Sequence, residues 1–325
     1  MPILSPSIRQ PLLRAADPFM AALTALTAPL AWAVSRAGKN APLSRAVLDR
    51  AGLAFVRKHY YAPVIDAGDI RHPLDEARDL PGLDLNEEGQ RALVAEFHCA
   101  DELAALPLKK PAVDRFGYEN TTYAEGDAEM LYNMIRRFRP RRIVEVGSGQ
   151  STLMAMEAIA ANRREDAAYE CRVTCIEPFE QPWLERLGVE VIRKRVEDCP
   201  DDLVASLGAN DFFFIDSSHV IRPQGDVLHL YQRLVPLAAP GVIVQVHDVF
   251  TPRDYPAKWV IDDRRLWNEQ YLMEAFLAFN PAFEVLLAVN WLANDRRDWL
   301  ASACPMLLKK PGKQPGAFWF RRKAA

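Results

Sequence analysis

The sequence predicts an α/β protein: a doubly wound, mainly parallel sheet preceded by a helical extension. Three observations carry this reading. From Arg141 onward, short runs rich in Val, Ile and Phe recur as RRIVEV, RVTCIE, VEVIR, DFFFID and GVIVQVHD. These runs are almost continuously apolar rather than alternating, which is how strands read when both faces are covered. Helix-like stretches separate them, as parallel crossovers require.

Composition sets the outer limits. The chain has 325 residues, of which 50% are hydrophobic and 26% charged, and its net charge is -3. That is an ordinary globular balance with room for one large core. No global basic field argues for nucleic acid, and the arginines from Arg136 to Arg142 read as a solvated helix end. The five cysteines are odd in number and lack paired metal spacing. A reduced, cytoplasmic setting is expected.

In chain order, residues 1–110 read as a helical extension and residues 111–325 as the main domain. The apolar stretch PFMAALTALTAPLAWAVS, residues 18–35, carries Pro29 and two threonines. It reads as shorter than a full membrane span and lacks a signal-peptide cleavage pattern. A helix packed on the domain or on a partner, including a second copy, is expected. A membrane-surface helix backed by Arg36 and Lys39 is the alternative. Two amphipathic patterns follow, LSRAVLDRAGLAFVRKHYY and NEEGQRALVAEFHCADELAAL. A Pro-bounded linker then leads to a helix from Asp127 to Phe138, which Pro140 stops. The five strands come next, and AFEVLLAV and GAFWFRR supply two more.

Ligands in such sheets bind beyond the carboxyl ends of the strands, where strand order reverses. The first strand ends in VEVGSGQST, whose Gly147 and Gly149 permit a tight turn and whose Ser151 or Thr152 caps the next helix. Glu177, closing the second strand in CIEP, can accept both hydroxyls of a ribose. Glu145 precedes the turn and is expected to face whatever binds there. A pyrophosphate would be repelled by about 4 kcal/mol at 4 Å with an effective dielectric of 20. The sulfonium and ammonium of S-adenosylmethionine would be attracted. Thr152 also stands where a dinucleotide fingerprint wants a third Gly or Ala. The methyl donor is therefore favoured over a dinucleotide.

VEVGSGQST, CIEP, FFIDSSH and GVIVQVHDVF together resemble the class I S-adenosylmethionine-dependent methyltransferases. The likeness extends to a bacterial subgroup with the patterns FIDSSH, HDxFxPxDYP and WNEQYL, here HDVFTPRDYP from His247 and WNEQYL from Trp267. The resemblance covers about residues 115–290. It implies a Rossmann-like seven-stranded sheet of order 3-2-1-4-5-7-6 with the last strand antiparallel. It also implies donor contacts at Glu145, Gly147, Ser148, Gly149, Gln150 and Ser151. Further contacts are implied at Glu177 and Pro178, at Glu197 and Asp198 beside adenine, and at Asp216 and Ser217.

On the acceptor side, Asp216 ends the fourth strand and His247 and Asp248 end the fifth. Neighbouring strands lie ~4.8 Å apart, so these groups and His219 can converge. Three chemistries fit. Asp216 and Asp248 hold a divalent ion, Mg²⁺ or Mn²⁺, that acidifies an acceptor hydroxyl. Alternatively, His219 or His247 is a metal-free base. In the third, Asp216 fixes the donor or the following loop and the histidines are structural. Residues 247 and 248 face opposite sides of an ideal strand, which counts against joint use. Ser217 and Ser218 lack the flanking glycines of a nucleophile elbow. The aromatics and charges from Tyr255 to Tyr271 suggest a flap, with Arg253 or Glu269 reading polar groups. Tyr118, Asn120 and Tyr123 are candidates to close the other side. The expected activity is methyl transfer to an oxygen of a small-molecule or glycosidic acceptor. Donor binding without turnover, in regulation or assembly, is the alternative.

Overall fold

The computed structural model describes residues 6–324 except 57, 59, 60, 66 and 180, with side chains from residue 10. It separates into two compact units, Met1–Arg71 and His72–Ala325.

The first unit contains a 32-residue helix, α1 (Pro6–Ala37), with Pro11, Pro18 and Pro29 inside it, and a short helix, α2 (Pro42–Arg50). None of its described residues is buried. Residues 18–35 form part of α1 and are exposed or half-buried within this unit. Phe19, Leu26 and Leu30 are 69%, 78% and 68% exposed. The helix that contains this stretch, Gln10–Asn40, is long and apolar enough to cross a membrane by length and composition. Alanines and threonines continue the helix on both sides of the leucine-rich core, and Pro29 does not end it.

The second unit holds the sheet. Its strands are β1 (Arg142–Val146), β2 (Arg172–Ile176), β3 (Glu190–Ile192), β4 (Phe212–Ile215), β5 (Ile243–Val246), β6 (Phe283–Ala288) and β7 (Phe318–Arg322). Their order is β3-β2-β1-β4-β5-β7-β6, with β7 antiparallel to both neighbours and the pairings from β3 through to β5 parallel. This is the expected order. Every residue of β4 and β5 is buried, because helices cover both faces.

Those helices include α5 (Asp127–Phe138) and α6 (Gln150–Glu165), which flank β1 in sequence. After β3 come α7 (Asp202–Ala205), α8 (Asp226–His229) and α9 (Val235–Leu237), the last two joined by a π turn. After β5 come α10 (Glu269–Leu277), α11 (Val289–Asp295) and α12 (Pro305–Leu308).

Val146 pairs with Ile215, and Ile215 with Val246. The next residues, Gly147, Asp216 and His247, thus leave the sheet side by side. Strand register alone brings the glycine turn and the acidic strand ends to one edge.

The unit boundary falls at residue 72, ahead of the domain start expected at residue 111. Two helices before residue 111, α3 (Glu87–Ala95) and α4 (Ala100–Ala105), belong to the sheet's core. Val94, Phe97 and Leu103 are buried in that core. Gln90, fully buried, donates to Leu85 O at 2.7 Å and accepts from the backbone N–H of Ala288 at 2.8 Å. It thereby satisfies the end of β6 from outside the sheet, where an unpaired N–H would cost about 1–3 kcal/mol. Arg78 reaches Glu274 of α10 at 2.5 Å.

Shortening the chain tests this boundary. Removal of residues 1–71 is expected to leave a cooperative thermal transition in circular dichroism. Removal of residues 1–110 strips Val94, Phe97 and Leu103 from the core and is expected to abolish that transition. Indistinguishable melts would place the boundary at 110 after all.

Candidate functional site

A cleft of about 440 Å³ opens at the carboxyl edge of the sheet, within the range usual for small-ligand sites. Val146 and Gly147, Ile176 to Phe179, Arg195 to Glu197 and Asp216 to Ser218 line it, with Arg222 and Asp226 opposite. Glu177, Pro178, Glu197, Asp216 and Ser217 are thus in the cleft wall, as expected. Asp198 is exposed and outside the wall. Glu177 accepts the backbone N–H of Phe179 at 2.9 Å and of Ser148 at 3.3 Å, fixing its carboxylate between the β1 and β2 loops.

Gly147 is required by a close approach. Its φ is +74°, and a Cβ there would lie 2.0 Å from the carbonyl oxygen of Asp216. Gly149 differs: a Cβ there meets only Gln181 Nε2, at 4.0 Å. Ser148 Oγ and Gln150 Oε1, in the same turn, are buried polar atoms without hydrogen-bond partners among the described residues. Buried groups of this kind are unusual and suit a ligand.

Glu145 does not line the cleft. It is 2% exposed and accepts hydrogen bonds from Ser151 Oγ at 2.5 Å and Thr152 Oγ1 at 2.6 Å. The hydroxyls of the first turn of α6 capture it from below, so it braces the turn. Burial pushes its pKa up to about 7 against the opposing pull of those two hydroxyls. The charge contrast expected at Glu145 is therefore weak near neutrality.

The acid–histidine groups do converge. His219 Nε2 lies 3.3 Å from Asp216 and 3.6 Å from Asp248. His247 Nδ1 lies 3.4 Å from Asp216, and its Nε2 lies 3.7 Å from Asp248 and 3.8 Å from Asp127. The opposite-face objection to His247 and Asp248 fails because β5 ends at Val246. Asp248 then takes a left-handed backbone, φ +57°, and His219 does the same at +60°. Such conformations are costly for residues with a Cβ and cluster at functional sites.

Electrostatics sort these groups. Burial works against the charged form of His219, yet its contacts with Asp216 and Glu269 outweigh this and raise its pKa to about 10. His247 is likewise desolvated, and Asp248 and Asp216 hold it well above the ordinary imidazole value. Burial opposes ionisation of Asp216, but the His247 charge and the His219 hydrogen bond leave it below the usual carboxylate range. Asp248 moves upward, chiefly through burial. The surrounding acids thus hold both imidazoles toward their protonated forms.

Glu269 completes the cluster. It is 1% exposed, takes the Nδ1 hydrogen bond of His219 at 2.8 Å and accepts from Ser217 Oγ at 2.7 Å. Ser217 in turn accepts the His219 N–H at 3.0 Å. Ser218 is tied to Asp226 through its N–H and hydroxyl, both at 2.7 Å. The paired serines therefore pin the loop. Gln270 accepts the N–H of Phe250 and donates to Arg253 O, both at 2.7 Å, joining the third motif to the second.

Other expectations fare differently. Trp267 stacks on His219 at 4.3 Å, and Arg265 lies over Trp259 and Trp267 at 4.2 and 4.4 Å. Arg253 instead pairs with Asp295 at 2.6 Å. Tyr123 packs on His247 at 4.9 Å, while Tyr118 donates to Leu103 O in the core and Asn120 shapes its own turn. Asp127 is the residue that sequence reasoning missed. It accepts the N–H groups of Gly316 and Ala317 at 2.8 and 2.7 Å and faces His247. An acid opening a helix is an ordinary capping signal, so nothing local marked it.

Residues 144–249 match the family model for a methyltransferase domain. An uncharacterized protein of Archaeoglobus fulgidus is 25% identical over 172 residues, covering 45% of this chain and 71% of that protein. A Thermobifida fusca protein, provisionally assigned as a methyltransferase, is 14% identical with a TM-score of 0.38, over 62% of this chain and 82% of that one. MycE, a methyltransferase of mycinamycin biosynthesis solved with Mg and SAH, is 15% identical with a TM-score of 0.30, over 58% and 48% of the two chains. Likenesses this remote carry nothing about substrate.

Two substitutions test the turn. Gly147→Ala is expected to destabilise the fold by at least about 2 kcal/mol, since backbone must move to admit the methyl group. A melting temperature within a degree of the parent would contradict the close approach. Glu145 has a folded pKa above its unfolded value, so the stability it contributes is present below pH 4.5 and lost as pH rises through about 7. Glu145→Gln keeps the uncharged form at all pH values. It is expected to flatten that part of the pH–stability curve and to gain up to roughly 3 kcal/mol at pH 8 relative to the parent. A loss of stability at pH 8 would show that the charged form is the favoured one.

Proposed function

We propose that this chain is an S-adenosylmethionine-dependent methyltransferase that transfers a methyl group to a hydroxyl oxygen of a small-molecule or glycosidic acceptor. One observation carries the reading. Asp216 belongs both to the cleft and to the acid–histidine cluster, so a molecule filling the cleft ends against the groups that handle protons. The methyltransferase-domain match over residues 144–249 supports the donor. Glu177 and Glu197 both line the cleft, and on this reading Glu177 takes the ribose hydroxyls and Glu197 faces the adenine. The charge that favours a sulfonium over a pyrophosphate falls to Asp216 rather than to Glu145.

The chemistry asks little beyond alignment. The methyl group passes from sulfur to oxygen as the S–C bond breaks and the O–C bond forms, and sulfur departs as a neutral thioether. In-line positioning supplies most of the effect. The hydroxyl proton must go to a nearby base, and the neighbouring acids hold both imidazoles toward their protonated forms. We assign the proton to Asp248, the carboxylate whose proton affinity burial raises. His219 and His247 then act as donors that orient the two aspartates, with Glu269 and Asp127 holding the rings.

A divalent cation fits the same residues. With the proton gone from His219 Nε2 and Nδ1–H still donated to Glu269, Asp216, His219 and Asp248 would each offer one ligand atom, all within 4.8 Å of one another. Asp127, Asp216, Asp248 and Glu269 outnumber the two imidazoles, and Glu269 Oε1 is buried without a hydrogen-bond partner among the described residues. Mg²⁺ or Mn²⁺ would lower the pKa of a bound acceptor hydroxyl, and a histidine in the set favours Mn²⁺.

Calorimetry with S-adenosylhomocysteine, paired with labelled-methyl transfer to a panel of hydroxylated acceptors, tests the reading. Binding in the micromolar range and transfer to oxygen are expected. Asp216→Asn is expected to weaken binding and to cut turnover by ~10²-fold or more in protein still folded by circular dichroism, with a lowered melting temperature because it leaves two imidazolium groups short of a partner. Full turnover in that variant would remove Asp216 from the site.

A further inference from the structure

The first unit has no interior of its own. None of its described residues is buried, yet it presents Leu12, Phe19, Leu23, Leu26, Leu30 and Trp32 on α1. Apolar surface on this scale needs a partner. We propose that α1 spans a lipid bilayer once and leaves the sheet domain on the cytoplasmic side.

Length and charge support a span. Residues 18–35 contain no charged side chain, and an 18-residue window within Gln10–Asn40 has a mean hydropathy of 1.4. At 1.5 Å per residue the uncharged stretch is about 27 Å long, close to the ~30 Å hydrocarbon core of a bilayer. Its hydroxyls need no water. Thr24 donates to Met20 O at 2.8 Å, Thr27 to Leu23 O at 3.0 Å and Ser35 to Trp32 O at 2.7 Å.

Two other occupants fit less well. A helix lying flat on a membrane needs a strongly polar face, and within residues 18–35 the face opposite the leucines is Ala21, Thr24, Ala28, Trp32 and Ser35, without a charge. A second copy of α1 in water would leave Pro29 inside an exposed helix at a cost of ~3 kcal/mol, and would lack the flanking charges that set register in water-soluble pairs. Proline is common in membrane helices. Orientation follows from the flanks. Arg36, Lys39, Arg45 and Arg50 follow the span, against Arg9 and Arg14 before it. Basic residues stay on the cytoplasmic side. Trp32 carries Arg36 over its ring at 5.2 Å, an arrangement suited to a membrane–water boundary. Beyond it α2 exposes Leu43 and Val47 beside Arg45 and Arg50, as an interfacial helix does.

The full chain, expressed in a Gram-negative host, gives the test. It is expected to sediment with membranes, to resist alkaline carbonate and to enter solution with detergent. Leu26→Arg combined with Leu30→Arg is expected to raise the soluble-to-pellet ratio by at least about tenfold. Its melting temperature should match the parent, because neither residue is buried. Protease added to intact spheroplasts should leave residues 72–325 whole and digest them after lysis. Release by carbonate would show a surface-lying helix. A soluble oligomer dissociated by the same substitutions would show a second copy as the partner. Loss of the first forty or so residues from the mature chain would show a cleaved leader, and digestion in intact spheroplasts would show the reverse orientation. Each of these outcomes overturns the proposal.

Discussion

The carboxyl edge of the sheet depends on how closely β1 approaches β4. The N–H of Asp216 donates to Val146 O at 2.8 Å, and the Asp216 carbonyl occupies the space where any side chain at 147 would begin. That single approach fixes the glycine turn against the residue that ends β4. Because β5 is in register with β4, it also sets where His247 and Asp248 emerge. The cleft and the acid cluster are two sides of one constraint, with Asp216 shared between them.

The cluster holds together through charge, and its supports come from far along the chain. Glu269 arrives on α10 and Asp127 on α5, each buried and each facing one histidine. Asn268 strengthens the same join: its N–H donates to His219 O at 2.8 Å, and its side-chain oxygen accepts from Ile221 N at 2.6 Å. FIDSSH, HDVFTPRDYP and WNEQYL are thus three pieces of one hydrogen-bonded network. Paired, hydrogen-bonded charges of this kind are costly to break singly, which favours a rigid site.

Much of this was legible in the residues, for identifiable reasons. A strand covered on both faces must be largely apolar, so β4 and β5, and with them most of the parallel sheet, stood out as short Val, Ile and Phe runs. Strand ends are where polar groups first appear, so Asp216 and His247 marked themselves. The failures share a cause. Glu145 read as facing the ligand because sequence does not show that Ser151 and Thr152 turn back to take its carboxylate. His247 and Asp248 looked incompatible because an ideal strand was assumed one residue too far. Asp127 carried only a capping signal, since its partner lies 120 positions away. The α3 and α4 helices looked separable because amphipathic periodicity says that a face is buried without saying against what.

The most direct measurement is a crystal structure of the full chain grown with S-adenosylhomocysteine. The ribose is expected on Glu177, the adenine beside Glu197, and the thioether sulfur against Asp216. Density elsewhere, or a dinucleotide that displaces the ligand from this cleft, would contradict the shared role of Asp216 on which the proposed chemistry rests.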